Sequence, residues 1–236
     1  MAHAASQVRA GMSVGSRYGL SDVGCDWSEA EQVLVLVHGR DREPEELVKP
    51  LLEAGDLSNV KILAPWVEPR CWYEGRYDAP LEDHEAARDA GLAHIGEAVA
   101  QARARGASVI LAGFSQGGCM VAEYLLTRGA DDIAAAAIFT GSALDPGAER
   151  EGAADLNGLP VILSGGTADP WLPVTDLERT ADLLASAGAR PELTTFDDQE
   201  HVVRPAEFAR LIALVSRKPE PRNTGAAREA GHDQAL

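Results

Sequence analysis

The feature that most constrains this 236-residue chain is an alternation beginning at residue 32, in which short apolar runs are separated by stretches with helical spacing. The runs are 32–38 (QVLVLVH), 60–64 (VKILA), 108–114 (SVILAGF), 133–140 (IAAAAIFT) and 159–164 (LPVILS), each ended by glycine, proline or polar residues. Unbroken apolar runs suit strands covered on both faces. Strands alternating with helices build a mainly parallel sheet with helices on both sides. A sixth segment, 191–196 (PELTTF), is more polar and is expected near a sheet edge.

The helices between the runs have readable limits. Leu81, Leu92, Ile95, Val99 and Ala102 fall mostly at three- and four-residue steps before Gly106. Residues 116–128 form a second helical segment. Thr175 and Glu178 form a TxxE capping-box pattern before Leu177, Ala181 and Leu184, with Gly188 as the stop. Pro205 suits a first helical position ahead of Phe208, Leu211, Ile212 and Val215. Weak strands within residues 1–31 could add antiparallel edges. The expected organisation is one domain over 1–216 and, because 217–236 lack a periodic apolar face, a disordered tail.

Composition narrows the function. With 21 basic and 37 acidic residues the formal charge is −16, which opposes both the phosphate backbone of nucleic acids and an anionic membrane face. No apolar run reaches the length of a transmembrane helix, and the first fifteen residues lack the apolar core of a signal peptide, so a cytoplasmic location is expected. Cys25, Cys71 and Cys119 have no CxxC spacing and read as free thiols, with no metal role. Alanine is abundant and only three basic residues are lysine, a bias expected of a GC-rich bacterial source.

The chemistry concentrates on one string. Gly113-Phe114-Ser115-Gln116-Gly117 is a GxSxG pattern lying where an apolar strand ends and a helical segment begins. That strand-turn-helix context is what a nucleophile elbow requires, since the sharp turn presents the hydroxyl at the carboxyl edge of the sheet. A serine hydroxyl is a weak nucleophile and needs a general base oriented by a third group. His201, in the loop between the last strand and the last helix, is the candidate base. His84 and His94 lie on the long helical segment, where a histidine is usually only solvated. Asp169, just past the strand VILSGG, is the candidate acid, with Asp197 and Asp198 as rivals on the loop of His201 itself. The oxyanion formed on attack needs fixed donors. The Gln116 amide at the helix start and the Arg40 amide after His38-Gly39 are the candidates.

The joint pattern LVHGR, GFSQGG, GTADPWLP and a late QEH resembles the carboxylesterase and phospholipase branch of the α/β-hydrolase fold, which includes acyl-protein thioesterases. The likeness covers roughly residues 32–216. It implies Ser115 as nucleophile, His201 as base, Asp169 as acid, Arg40 and Gln116 as oxyanion donors, and no cofactor. It also implies that Arg70-Cys71-Trp72-Tyr73 is an aromatic loop near the site. By position, Trp66, Trp72, Tyr73, Trp171 and Leu172 are candidates either for substrate contact or for packing. The sequence departs from the family at HGRDREPEE, a charged loop where many members have glycine or a small apolar residue. That charge disfavours long acyl chains, and the close succession of elements leaves little sequence for a lid.

The expected function is therefore hydrolysis of esters with small to medium acyl groups through an acyl-enzyme, acting on a small-molecule ester. The same groups would serve thioester, lactone or lysophospholipid hydrolysis or acyl transfer, and a non-catalytic ligand-binding module on this fold is the alternative of another class. A homodimer is left open.

Overall fold

The computed structural model describes residues 9–11, 17–131, 133–150 and 152–217. Its centre is an eight-stranded sheet in the order β1-β2-β4-β3-β5-β6-β7-β8. The strands are β1 (Arg9–Gly11), β2 (Tyr18–Gly24), β3 (Gln32–Val37), β4 (Val60–Val67), β5 (Ser108–Phe114), β6 (Ile133–Phe139), β7 (Pro160–Gly166) and β8 (Arg190–Phe196). From β4 to β8 all neighbours are parallel, whereas β1 and β2 add an antiparallel flank. Five helices connect and cover the strands: α1 (Glu45–Ala54), α2 (Leu81–Arg103), α3 (Gln116–Arg128), α4 (Val174–Ser186) and α5 (Pro205–Val215).

The apolar runs became strands because both of their faces are buried. On one side Val33, Val35 and Leu111 pack with α2, α3 and α4 residues such as Ile95, Met120 and Leu184. On the other, Leu34, Leu36 and Ile110 pack with Leu47 and Leu51 of α1 and Phe208 and Leu211 of α5. Each fully buried Leu or Ile of this set contributes about 2 kcal/mol of apolar transfer energy. β8 alternates exposed and half-buried positions, as an edge strand with one solvated side should.

Several expectations need correction. β4 runs past Ala64, through Pro65, to Val67; its register with β3 ends at Leu63, so beyond that point only β2 pairs with it and the missing proline donor is tolerated. α1 was not expected from the sequence, because its start lies in the charged run and Pro50 interrupts it. It persists because Leu47, Val48 and Leu51 are buried. The TxxE capping box does not form: α4 begins at Val174 after Pro173, with no side-chain cap. His84 and His94 are not solvated but buried. β2 and the loop after β4 pack against α2, so His94 Nε2 meets the Gly19 carbonyl at 2.8 Å and the His84 ring stands edge-on to Tyr73. Pro205 does open α5, and Gly106 follows α2 in the left-handed region. The expected disordered tail lies, from residue 218 on, outside the described residues.

Candidate active site

Ser115 joins β5 to α3 with φ 54° and ψ −123°, a backbone conformation that costs a non-glycine residue energy and must be enforced by its surroundings. Its amide donates to the Phe139 carbonyl of β6 at 2.9 Å, and its carbonyl accepts from the Cys119 amide at 2.9 Å. The flanking glycines follow from the sharpness of the turn. A Cβ on Gly113 would lie 2.3 Å from the Gly117 oxygen, and one on Gly117 would lie 2.2 Å from the Val37 oxygen. Side chains there would push helix and strand apart.

The three residues of the expected relay are brought together. His201 Nε2 lies 2.8 Å from Ser115 Oγ, and its Nδ1 lies 2.7 Å from Asp169 Oδ2. The Asp169 side chain is almost fully buried, and its Oδ1 accepts from the amides of Trp171 at 2.8 Å and Leu172 at 3.2 Å. With a carboxylate on Nδ1, the neutral imidazole carries its proton there and leaves Nε2 free to accept from the serine. The rival acids are engaged elsewhere. Asp198 Oδ2 accepts from Arg204 Nε at 2.9 Å, and that hydrogen bond is the main cause holding its carboxyl below the usual range. Asp197 meets Thr167 at 3.5 Å. Arg204 also donates from Nη2 to the Glu200 carbonyl at 2.8 Å and stacks over Phe196, so it braces the loop that carries His201.

The loop after β3 is fixed from several sides. Asp41, at φ 55°, donates its amide to the Arg70 carbonyl at 2.7 Å, and Arg40 Nη2 donates to the carbonyls of Tyr73 at 2.9 Å and Gly75 at 2.6 Å. His38 is buried and its Nδ1–H donates to the Gly39 carbonyl at 2.7 Å; burial pulls its pKa down to about 4, so the ring is neutral. Carbonyl and N–H of one trans peptide point opposite ways, so anchoring the Gly39 oxygen also directs the Arg40 N–H. Gln116 opens α3, where the first amides have no intrahelical acceptor. Both Arg40 and Gln116 line the cleft over Ser115.

That cleft has a volume of about 450 Å³, with Tyr73, Tyr77, Trp171 and Leu172 among its walls and Arg40, Asp41, Arg42 and Arg76 at its rim. Trp72 is a correction. It does not reach the cleft but is buried in the core, its indole N–H donating to the His38 carbonyl at 2.9 Å. Trp66 is likewise buried in β4, under the Arg70 guanidinium. No motif announces what the Gln116 side chain does. Its Oε1 accepts from the Trp72 amide at 3.0 Å and its Nε2 donates to the Tyr73 carbonyl at 2.7 Å, tying the aromatic loop to the elbow. Equally unannounced is Glu123, fully buried on α3, which accepts from the Leu144 amide at 2.9 Å and from both Arg150 terminal nitrogens at 2.9 and 3.0 Å. Cys119 lies beneath the elbow with its thiol pushed up to about 11, chiefly by burial. Among the described residues no group of three His, Cys, Asp or Glu side chains could hold a metal ion, and no helix is long and apolar enough to cross a membrane.

A strand-serine-helix elbow on a mainly parallel sheet covered by helices on both faces defines an α/β-hydrolase fold. The Phospholipase/Carboxylesterase family model matches residues 85–217, more than half the chain, and the protein belongs to that family as a carboxylesterase-type hydrolase. No curated protein matches the sequence. Among solved structures, a phospholipase/carboxylesterase from Dyadobacter fermentans is 26% identical with a TM-score of 0.75, covering 84% of this chain and 96% of that one. The Bacillus cereus carboxylesterase (20% identity, TM-score 0.67, 83% and 93% covered) shares the fold. So does a carboxylesterase from Mesorhizobium loti (16%, 0.68, 87% and 97%).

Proposed function

We propose that the protein hydrolyses carboxylic esters of small to medium acyl groups through an acyl-enzyme, with Ser115 as nucleophile, His201 as general base and acid, and Asp169 as the group that orients it. The observation that carries this reading is the hydrogen-bonded chain from Ser115 Oγ through His201 to a buried carboxylate, 2.8 and 2.7 Å long. His201 takes the proton as Oγ attacks the carbonyl, and the Arg40 and Gln116 amides donate to the oxygen on which negative charge develops. The proton then passes to the departing alcohol, and water repeats the sequence to release the acid. Tyr73, Trp171 and Leu172 wall the acyl side of the cleft. A volume of about 450 Å³ lies low in the range of small-molecule sites, and a rim carrying Arg40, Asp41, Arg42 and Arg76 is a poor seat for a long lipid chain.

The test is turnover of p-nitrophenyl esters from acetate to palmitate, together with fluorophosphonate labelling of the wild type and Ser115→Ala. Turnover concentrated on short chains, with label lost in the variant, is expected. Wild-type turnover in Ser115→Ala would overturn the assignment.

A further inference from the structure

A second groove of about 460 Å³ opens beside the catalytic cleft, between α1 and α5. Leu47, Pro50 and Ala54 from α1, Val203 from the His201 loop and Phe208 from α5 give it apolar surface, beside the charged Arg42, Glu46 and Glu53. The two hollows share only Arg42, Phe114 and His201, so the imidazole stands at their junction. Building on the reading above, we propose that this groove receives the alcohol portion of the ester and makes the enzyme select esters of neutral, apolar alcohols.

Stereochemistry carries the argument. When Oγ adds to the carbonyl carbon, four groups radiate from it: Oγ, the oxyanion, the acyl chain and the alkoxy oxygen. Ser115, Arg40 and Gln116 all line the first cleft and none lines the second, which places Oγ and the oxyanion on the first side. Collapse breaks the carbon–alkoxy bond while the proton taken from Oγ moves from His201 Nε2 to the alkoxy oxygen, which leaves as neutral alcohol. That oxygen must therefore face His201, and whatever it carries extends past the ring into the groove.

A second observation agrees. Only three large hydrophobic residues are exposed among the described residues, namely Leu52 at 42%, Trp171 at 65% and Val202 at 40%. Trp171 lines the first cleft and Val202 the second. Apolar surface left in water on both sides of the imidazole is what two apolar substrate halves would cover. Charge narrows the alcohol further: Arg42 is already paired with Glu46 at 2.8 Å, and Glu53 adds a second carboxylate to the rim. A leaving group bearing phosphate, such as phosphoglycerol, would meet unbalanced negative charge there.

The test separates the two halves of the ester. Acetates of methanol, butanol and hexanol vary the alcohol, and ethyl esters of acetic to hexanoic acid vary the acyl group. The variants are Ala54→Trp, which fills the groove from an exposed helix end, and Val202→Ser, which removes apolar surface from it. In the wild type kcat/KM is expected to rise at least about tenfold from methyl to hexyl acetate. Ala54→Trp should bring that ratio close to one and Val202→Ser should lower it, while the order of preference across the acyl series is kept in both. An unaltered alcohol preference in both variants, or a loss confined to the acyl series, would overturn the proposal. Fluorophosphonate labelling of the same proteins distinguishes the failures. Labelled Ser115 with no alcohol preference refutes the groove alone, whereas an unlabelled wild type refutes the serine mechanism beneath it.

Discussion

Asp169→Asn tests the proposed division of labour at the site. The carboxylate has two distinct tasks, since Oδ1 accepts from the Trp171 and Leu172 amides while Oδ2 faces His201 Nδ1. Asparagine keeps the first: its oxygen can still accept both amides, so the turn and the fold should survive. It reverses the second, because its NH₂ presents a donor to Nδ1 and the imidazole must move its proton to Nε2. A protonated Nε2 cannot accept from Ser115, which lies 2.8 Å away. The loss expected for such a tautomer switch is about 10⁴ in kcat, or about 5 kcal/mol of transition-state stabilisation, with KM little changed. The assay is steady-state hydrolysis of p-nitrophenyl acetate, with fluorophosphonate labelling rates as a second readout and urea unfolding as the control for folding. Asp198→Asn is the companion variant; it weakens a part-exposed pair with Arg204 and should cost less than about tenfold. A kcat for Asp169→Asn within tenfold of the wild type, or an equal loss in Asp198→Asn, would refute the reasoning.

Two further outcomes concern stability. His38 is held neutral by burial, its pKa falling from 6.5 to about 4, so below pH 6.5 the unfolded chain binds a proton that the fold does not. Stability should therefore fall as pH drops from about 6.5 to 4, by up to about 3 kcal/mol more in the wild type than in His38→Gln, read from urea midpoints at pH 7 and 4.5. Parallel pH profiles would exclude the effect. Glu123→Gln should leave the Arg150 charge buried without its counter-ion and cost about 3–5 kcal/mol, a drop in Tm on the order of 10 °C in a thermal scan. A change below about 1 kcal/mol would mean that Arg150 finds water instead.

What could be read from the sequence was what local stereochemistry enforces. The glycines around Ser115 are demanded by the close passage of β5, α3 and β3, so GFSQGG announces its own geometry. His201 and Asp169 were legible from strand order, because parallel strands deliver their ends to one edge of the sheet. Features set by a distant partner were not legible. Trp72 looks like a pocket aromatic until its loop folds back beneath His38, and His94 looks solvated until β2 covers α2. α1 was hidden by charges and Pro50, its apolar face having meaning only against α5 and the sheet. The Glu123–Arg150 pair joins a helix to a loop 27 residues away with no motif to signal it.

The order of the proposed catalytic residues along the chain has a consequence during synthesis. The elbow is tied to β6 by the bond from Ser115 to Phe139, so this anchor of the serine backbone lies wholly in chain made by the end of β6. The imidazole follows 86 residues after Ser115, beyond β7, α4 and β8. Because chains emerge N-terminus first, the serine spends that interval without a base and with the ordinary inertness of an alcohol. Reactivity arrives only when the last crossover unit docks, and the return of turnover on refolding would time that docking event rather than collapse of the central strands.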